Sequence, residues 1–166
     1  MAKLRLTYFD FDGGRGEPAR LALHIGGIAF EDHRIAGKDL PAFRDNTPFF
    51  AMPTLEVDGK VASQSNSINR YVGKLAGLYP KDDWQALLCD EVMDAAEDIG
   101  TQVAQTIDLP DDAKKKAREE LVAGRITRYG RWASPCLRRG DLRTRRRQWL
   151  AQDARAHRAR RQNRSR

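Results

Sequence analysis

The stretch Met52-Pro53-Thr54-Leu55-Glu56-Val57-Asp58-Gly59-Lys60-Val61-Ala62-Ser63-Gln64-Ser65 decides the fold. Residues 54–57 and 60–62 flank Asp58-Gly59, the strongest hairpin signal in the chain. An Asp-Gly pair accepts the positive φ angles that a tight hairpin turn needs. Ser63 and Ser65, on either side of Gln64, then offer hydroxyl N-caps to a helix expected to run to about Leu75. Pro53 cannot donate to a ladder, so it reads as the start of the strand, either in a cis bond or as a plain loop proline.

Upstream of the hairpin, residues 4–9 alternate Leu, Leu and Tyr with Arg, Thr and Phe, the pattern of a strand. Residues 10–16 are glycine-rich, Pro18 suits a first helical turn, and Ala19, Leu21, Ala22 and Ile25 give that helix an apolar face. Gly26-Gly27 ends it, residues 28–35 read as a second strand, and residues 40–44 as a short amphipathic piece. The order β-α-β-α-β-β-α predicts an α/β, thioredoxin-like domain over residues 1–77. Gly14, Gly16 and Ala19 with Asp32 downstream also satisfy a dinucleotide fingerprint. A doubly wound sheet needs further parallel strands, however, and an antiparallel hairpin comes instead. In the thioredoxin-like layout the first strand-to-helix loop holds the chemical group. Neither cysteine nor serine is present there, since the first of each are Cys89 and Ser63. Tyr8 is what remains, either as a core tyrosine or as a hydroxyl facing that loop. Gln64 and Ser65, at a helix N-terminus, fit either simple capping or a bound carboxylate.

Residues 78–83 read as a linker. Beyond them Trp84, Leu87, Leu88, Val92, Ala95, Ala96, Ile99 and Val103 recur at helical spacing. Pro110 interrupts, and residues 112–129 predict another helix, so residues 84–130 read as part of an all-helical domain. The acidic run Asp90, Glu91, Asp94, Glu97 and Asp98 reads as a solvated face; no histidine joins it, and no metal is expected. Residues 131–166 hold thirteen arginines and two aspartates and keep no helical period, so the tail is expected to be disordered. Its composition reads as an out-of-frame continuation of a GC-rich gene.

The chain's net charge of +7 belongs to that tail. Residues 1–130 carry 17 basic and 21 acidic groups, 17 − 21 = −4. A nucleic-acid or anion binder acting through the tail, with Trp132 and Trp149 stacking on bases, is therefore the least favoured reading. No stretch free of Asp, Glu, Lys and Arg is longer than the ten residues of 21–30, too short to span a bilayer. Two cysteines make no disulfide framework, and a cytoplasmic setting is expected.

Together the strand and loop of residues 4–20, Glu31-Asp-His-Arg-Ile, Met52-Pro-Thr-Leu-Glu-Val-Asp-Gly and Gln64-Ser-Asn-Ser-Ile-Asn-Arg-Tyr closely resemble the cytosolic glutathione transferases, tyrosine-type and sigma-like. The resemblance covers residues 1 to about 128. It implies a glutathione-binding N-terminal domain followed by helices that line the site of an electrophilic, mostly apolar substrate. It implies glutathione as co-substrate, no tightly bound cofactor, a homodimer and no membrane partner. Tyr8 would hydrogen-bond the glutathione sulfur, with Arg15 supporting it. Met52 would pair its backbone with the tripeptide ahead of cis-Pro53. Gln64 and Ser65 would hold the γ-glutamyl carboxylate, Arg44 would lie near the glycyl carboxylate, and Asp98 would reach the partner subunit's glutathione. Leu40 stands where the pattern has a tryptophan touching glutathione, and Phe50-Ala51 replaces a glycine and a polar residue. The catalytically weak glutathione-binding relative is the alternative that these departures leave open.

Overall fold

The computed structural model describes residues 2–130, so the expectations for the tail lie outside the described residues. The described residues divide into two compact units, the first ending at Thr101 and the second beginning at Gln102. Strands β1 (Leu4–Phe9), β2 (Glu31–Ile35), β3 (Thr54–Val57) and β4 (Lys60–Ser63) form one sheet in the order β2-β1-β3-β4. β1 and β2 run parallel with Tyr8 beside Arg34, and β1 and β3 run antiparallel with Leu6 beside Leu55. This is the thioredoxin-like sheet that the hairpin predicts.

The two-residue period of β1 puts Leu4, Leu6 and Tyr8 on one face, where all three are buried. Helices α1 (Glu17–Ile25) and α3 (Ser65–Leu75) cover that face. They bring Ala19 and Leu23, and Ile68 and Val72, against Leu4, Leu6 and Leu55. Each large side chain fully buried there contributes about 1.5–3 kcal/mol. On the other face Thr7 bonds His33 at 3.2 Å, and His33 meets Phe43 of α2 (Leu40–Arg44) edge-on. The β3–β4 turn is formed by Asp58 (φ 48) and Gly59 (φ 82), both left-handed, as a hairpin that follows sheet twist requires. Asp58 also ties the turn to the start of the chain, its Oδ1 accepting the Lys3 N–H at 2.8 Å.

Three local expectations are corrected. β2 begins at Glu31 rather than residue 28, because the Ile28 N–H donates back to the Leu23 carbonyl (3.0 Å) and Ile28 packs on the core at the end of α1. No side chain caps α3: Ser63 belongs to β4 and bonds the Pro48 carbonyl, while Gln64 takes φ 77. The helix expected over residues 112–129 runs from 111 to 130 but is not α-helical throughout. α5 (Asp111–Leu121) widens into a π-helical turn over Val122–Ile126, where the Thr127 hydroxyl bonds the Val122 carbonyl.

The acidic run is the larger correction. α4 (Asp83–Ala104) does not present all of it to water. Asp90, Asp94 and Glu97, spaced four and three residues apart, share one helical face and pair with residues of the sheet unit. The supposed inner stripe begins exposed instead, with Trp84 at 63% and Leu87 at 56%.

Candidate functional site

The site is built around the turn from β1 into α1. Tyr8 is 6% exposed, and its hydroxyl oxygen accepts the Arg15 backbone N–H at 3.1 Å. The loop can come this close because two of its residues have no side chain. A Cβ on Gly14 would lie 2.8 Å from the Tyr8 oxygen, and one on Gly16 would lie 2.5 Å from its ring. The glycine spacing that imitates a dinucleotide fingerprint thus serves close contact with a tyrosine.

Arg20 holds this loop from inside. It is 3% exposed, donates to the carbonyls of Phe9 (3.2 Å) and Phe11 (3.1 Å), and pairs with Asp32 of β2 at 2.9 Å. Glu17 accepts from the Gly13 N–H at 3.1 Å and lies 3.4 Å from the same guanidinium. Burial pushes the Asp32 carboxyl up, but hydrogen bonds from Arg34 and Arg20 outweigh it and hold the group below the usual carboxylate range. Nothing in the sequence alone marked Arg20 as more than part of the loop motif. The available signal was a cation on the apolar side of α1, one turn after Glu17.

Beside the loop lies a cavity of about 480 Å³, lined by Arg15, Met52, Gln64 and Ser65 together with Asn66, Asp94 and Glu97. Met52-Pro53 is cis, and Pro53 is buried at the cavity's edge of the sheet. Of the residues expected from sequence, then, Arg15, Met52, Gln64 and Ser65 come together, while Pro53 adjoins Met52 and Tyr8 bonds the Arg15 backbone without either lining the cavity. Leu40 and Arg44 lie on α2 and do not line the cavity; Arg44 is exposed, 4.0 Å from Asp45. Asp98 is exposed on α4 and does not line it either.

Glu97 is the residue that the reading of a solvated face missed. It pairs with the Arg15 guanidinium and accepts from the Ser65 hydroxyl at 3.3 Å. Arg15 donates further to the Thr101 hydroxyl at 3.1 Å. The cavity therefore offers both signs: an arginine and the uncapped N-terminus of α3, facing two carboxylates. Glu97 is already paired with Arg15 and Asp94 with Arg70, and the uncapped N-terminus of α3 suits an anionic group. A second hollow of about 560 Å³ runs along α5 past Lys114, Lys115 and Arg118, and holds none of the expected site residues. Among the described residues no group of three or more His, Cys, Asp or Glu could hold a metal ion. None of their helices is long and apolar enough to cross a membrane.

Phe50 precedes Ala51, which lines the cavity, and does not line it itself. It stands where the resembling pattern has glycine, and its φ is 49, with Phe49 at 57. Both rings are exposed.

Comparison with known proteins gives one consistent result. Residues 4–74 match the family described as glutathione S-transferase, N-terminal domain. Glutathione S-transferase 1 of Ascaris suum is 44% identical over 99 residues, covering 60% of this chain and 48% of that protein. Hematopoietic prostaglandin D synthase of Gallus gallus is 33% identical, covering 75% and 62%. The solved structure of prostaglandin synthase D of Nilaparvata lugens superposes with a TM-score of 0.69 at 38% identity, covering 76% of this chain and 64% of that one. The chain spans between about half and just under two thirds of the length of these proteins.

Proposed function

Because residues 4–74 belong to the glutathione S-transferase N-terminal domain family, we propose that this chain binds glutathione in the cavity beside Arg15 and that Tyr8 activates its thiol for attack on an electrophilic, mostly apolar substrate. One observation carries the reading. The Tyr8 oxygen accepts the Arg15 N–H, so its own proton is left to point at a sulfur. A cysteine thiol near pKa 8.5 is only a few per cent ionised at neutral pH. Lowering that value by about two units takes roughly 2.7 kcal/mol. A hydroxyl donating to a charged sulfur supplies about 1.5–3 kcal/mol, and a helix N-terminus typically adds about 0.3–1 kcal/mol.

In the reaction the thiolate forms a bond to the electrophilic carbon and the leaving group departs with the bond's electron pair. Gln64, Ser65 and the N-terminus of α3 would hold the γ-glutamyl carboxylate, and the backbone of Met52 ahead of Pro53 would align the extended tripeptide. Residues 1–77 would form the glutathione-binding domain, with residues 78–83 as linker and helices within 84–130 lining the electrophile's side. Arg44 and Asp98 would act at the glycyl carboxylate and in a homodimer, in a cytoplasmic enzyme. The second reading is a weak or inactive glutathione-binding relative, favoured by apolar Leu40, which offers the tripeptide no hydrogen bond.

Binding of glutathione and conjugation of a chlorinated nitroaromatic, measured on the intact chain and on Tyr8→Phe, decide between these readings. Loss of the hydroxyl's roughly 1.5–3 kcal/mol is expected to lower kcat by about 10- to 150-fold with little change in glutathione affinity. Binding without turnover in both proteins favours the second reading. Turnover that survives the substitution removes Tyr8 as the activator.

A further inference from the structure

We infer that Arg20 is a positioning residue for the Tyr8 hydroxyl, a buried fork that fixes the loop whose Arg15 N–H sets where the Tyr8 proton points. The inference rests on the reading of Tyr8 as thiol activator and extends it to a residue that lines no cavity.

The proton of a tyrosine hydroxyl can take either of two in-plane orientations about the C–O bond unless a partner on the oxygen's lone pair selects one. Here that partner is the Arg15 N–H at 3.1 Å, on a loop of glycines that has little stiffness of its own. Arg20 supplies the stiffness. Its guanidinium reaches the carbonyls of Phe9 and Phe11 on the near side of the loop and Asp32 on β2. Glu17, against the same guanidinium, takes the Gly13 N–H. Residues 9, 11 and 13 are thereby tied to α1 and to the sheet just before Arg15. The Arg20 Cζ also lies 5.8 Å from the centre of the Tyr8 ring, within cation–π range. One group therefore touches the tyrosine's ring and, through the loop, governs the partner of its hydroxyl. The charged groups around it are Glu17 on α1, Asp32 and Arg34 on β2, and Asp10 and Asp12 in the loop, which both face Arg34. A lysine in place of Arg20 would keep the charge but could not hold two carbonyls and a carboxylate in one plane.

The test titrates the thiol of glutathione bound to the full chain by its thiolate ultraviolet absorbance, which needs no turnover. Wild type is compared with Arg20→Lys, Asp32→Ala and Tyr8→Phe, and with Arg20→Lys in the Tyr8→Phe background, each checked for folding by thermal melting. Arg20→Lys is expected to raise the bound thiol's midpoint by about half a unit to one unit, a three- to tenfold loss of thiolate below the midpoint. Glutathione affinity is expected to change less than about twofold, since no contact in the cavity is removed. Asp32→Ala is expected to shift the midpoint the same way, and it stands in if Arg20→Lys does not fold. In the Tyr8→Phe background Arg20→Lys is expected to add nothing. Folded variants with unchanged midpoints, alongside a shifted Tyr8→Phe, overturn the positioning role and leave the activation reading intact. A shift that persists without the Tyr8 hydroxyl also overturns it. A Tyr8→Phe midpoint equal to wild type overturns the activation reading itself, and the positioning role with it.

Discussion

Gly16 shows how narrow the tolerance at the site is. Its φ of −83 is one that any residue adopts, so the need for glycine is steric. A Cβ there would stand 2.5 Å from Tyr8 Cγ and 2.6 Å from Cδ1, and the ring is packed in the core and cannot retreat. Gly16→Ala is expected to cost about 1–3 kcal/mol of stability, the usual penalty of overpacking. Each kcal/mol lowers the melting temperature by about 2–4 °C in a chain of this size. Gly37→Ala is the control. Nothing lies within 4 Å of a Cβ there, and the change should stay within about 0.5 kcal/mol. Thermal denaturation of the two variants checks both statements. The identity of these residues was legible in the sequence, but their purpose was not. Gly14-x-Gly16 satisfies a phosphate-binding spacing as well as it satisfies contact with a tyrosine, and one-dimensional spacing does not say what approaches the backbone. Phe50 is the converse case: its departure from glycine was visible in the sequence, and the backbone keeps the left-handed φ regardless.

Among the elements, α4 departs furthest from what its sequence implied. Amphipathic periodicity identifies which residues share a face and says nothing about what that face meets. The acidic face of α4 meets cations and hydroxyls of its own unit. Arg70 stands 2.8 Å from Asp90 and 3.2 Å from Asp94, and the Tyr79 hydroxyl donates to Asp90 at 2.8 Å. Burial pushes the Asp90 carboxyl up, yet Arg70 and the Tyr79 hydroxyl outweigh it and leave it below the ordinary value. Asp32 is lowered in the same way on β2. The unfolded chain, with aspartates near 3.9, therefore binds more protons than the folded one in the acid range. Their stabilisation is present above about pH 4 and is lost as the pH falls through the lower folded-state values. Urea midpoints in wild type should hold from about pH 6 to about pH 4 as far as these two groups are concerned and fall below it. Asp90→Asn should be less stable than wild type at neutral pH and show a shallower acid limb. A limb unchanged in Asp90→Asn removes this pair from the account.

At the scale of the whole molecule, ligand binding and folding are linked. If the cavity takes glutathione, the tripeptide at about one hundred times its Kd should stabilise the full chain by about 2.7 kcal/mol. The melting temperature should then rise by about 5–10 °C, and the rise should shrink in Gln64→Ala, whose side chain lines the cavity. A melting temperature indifferent to glutathione counts against the cavity as its site. The net charge of +7 bears on none of this, since residues 1–130 are net acidic. What the sequence determined by itself was local and ordinal. The Asp-Gly turn, the alternation in β1, the proline at the head of β3 and the glycines ending α1 each fix a backbone choice through their own sterics. Their order along the chain leaves one sheet topology. What only the tertiary structure decided was which charges meet. Arg15 and Glu97 are 82 residues apart, Arg70 and Asp94 are 24 apart, and Arg20 finds Asp32 across a parallel strand pairing. Ion pairs between separate elements have no periodicity and no fixed spacing in sequence. They are set by where packed helices and strands bring long side chains together, and the lining of the cavity and the support of Tyr8 are both made of them.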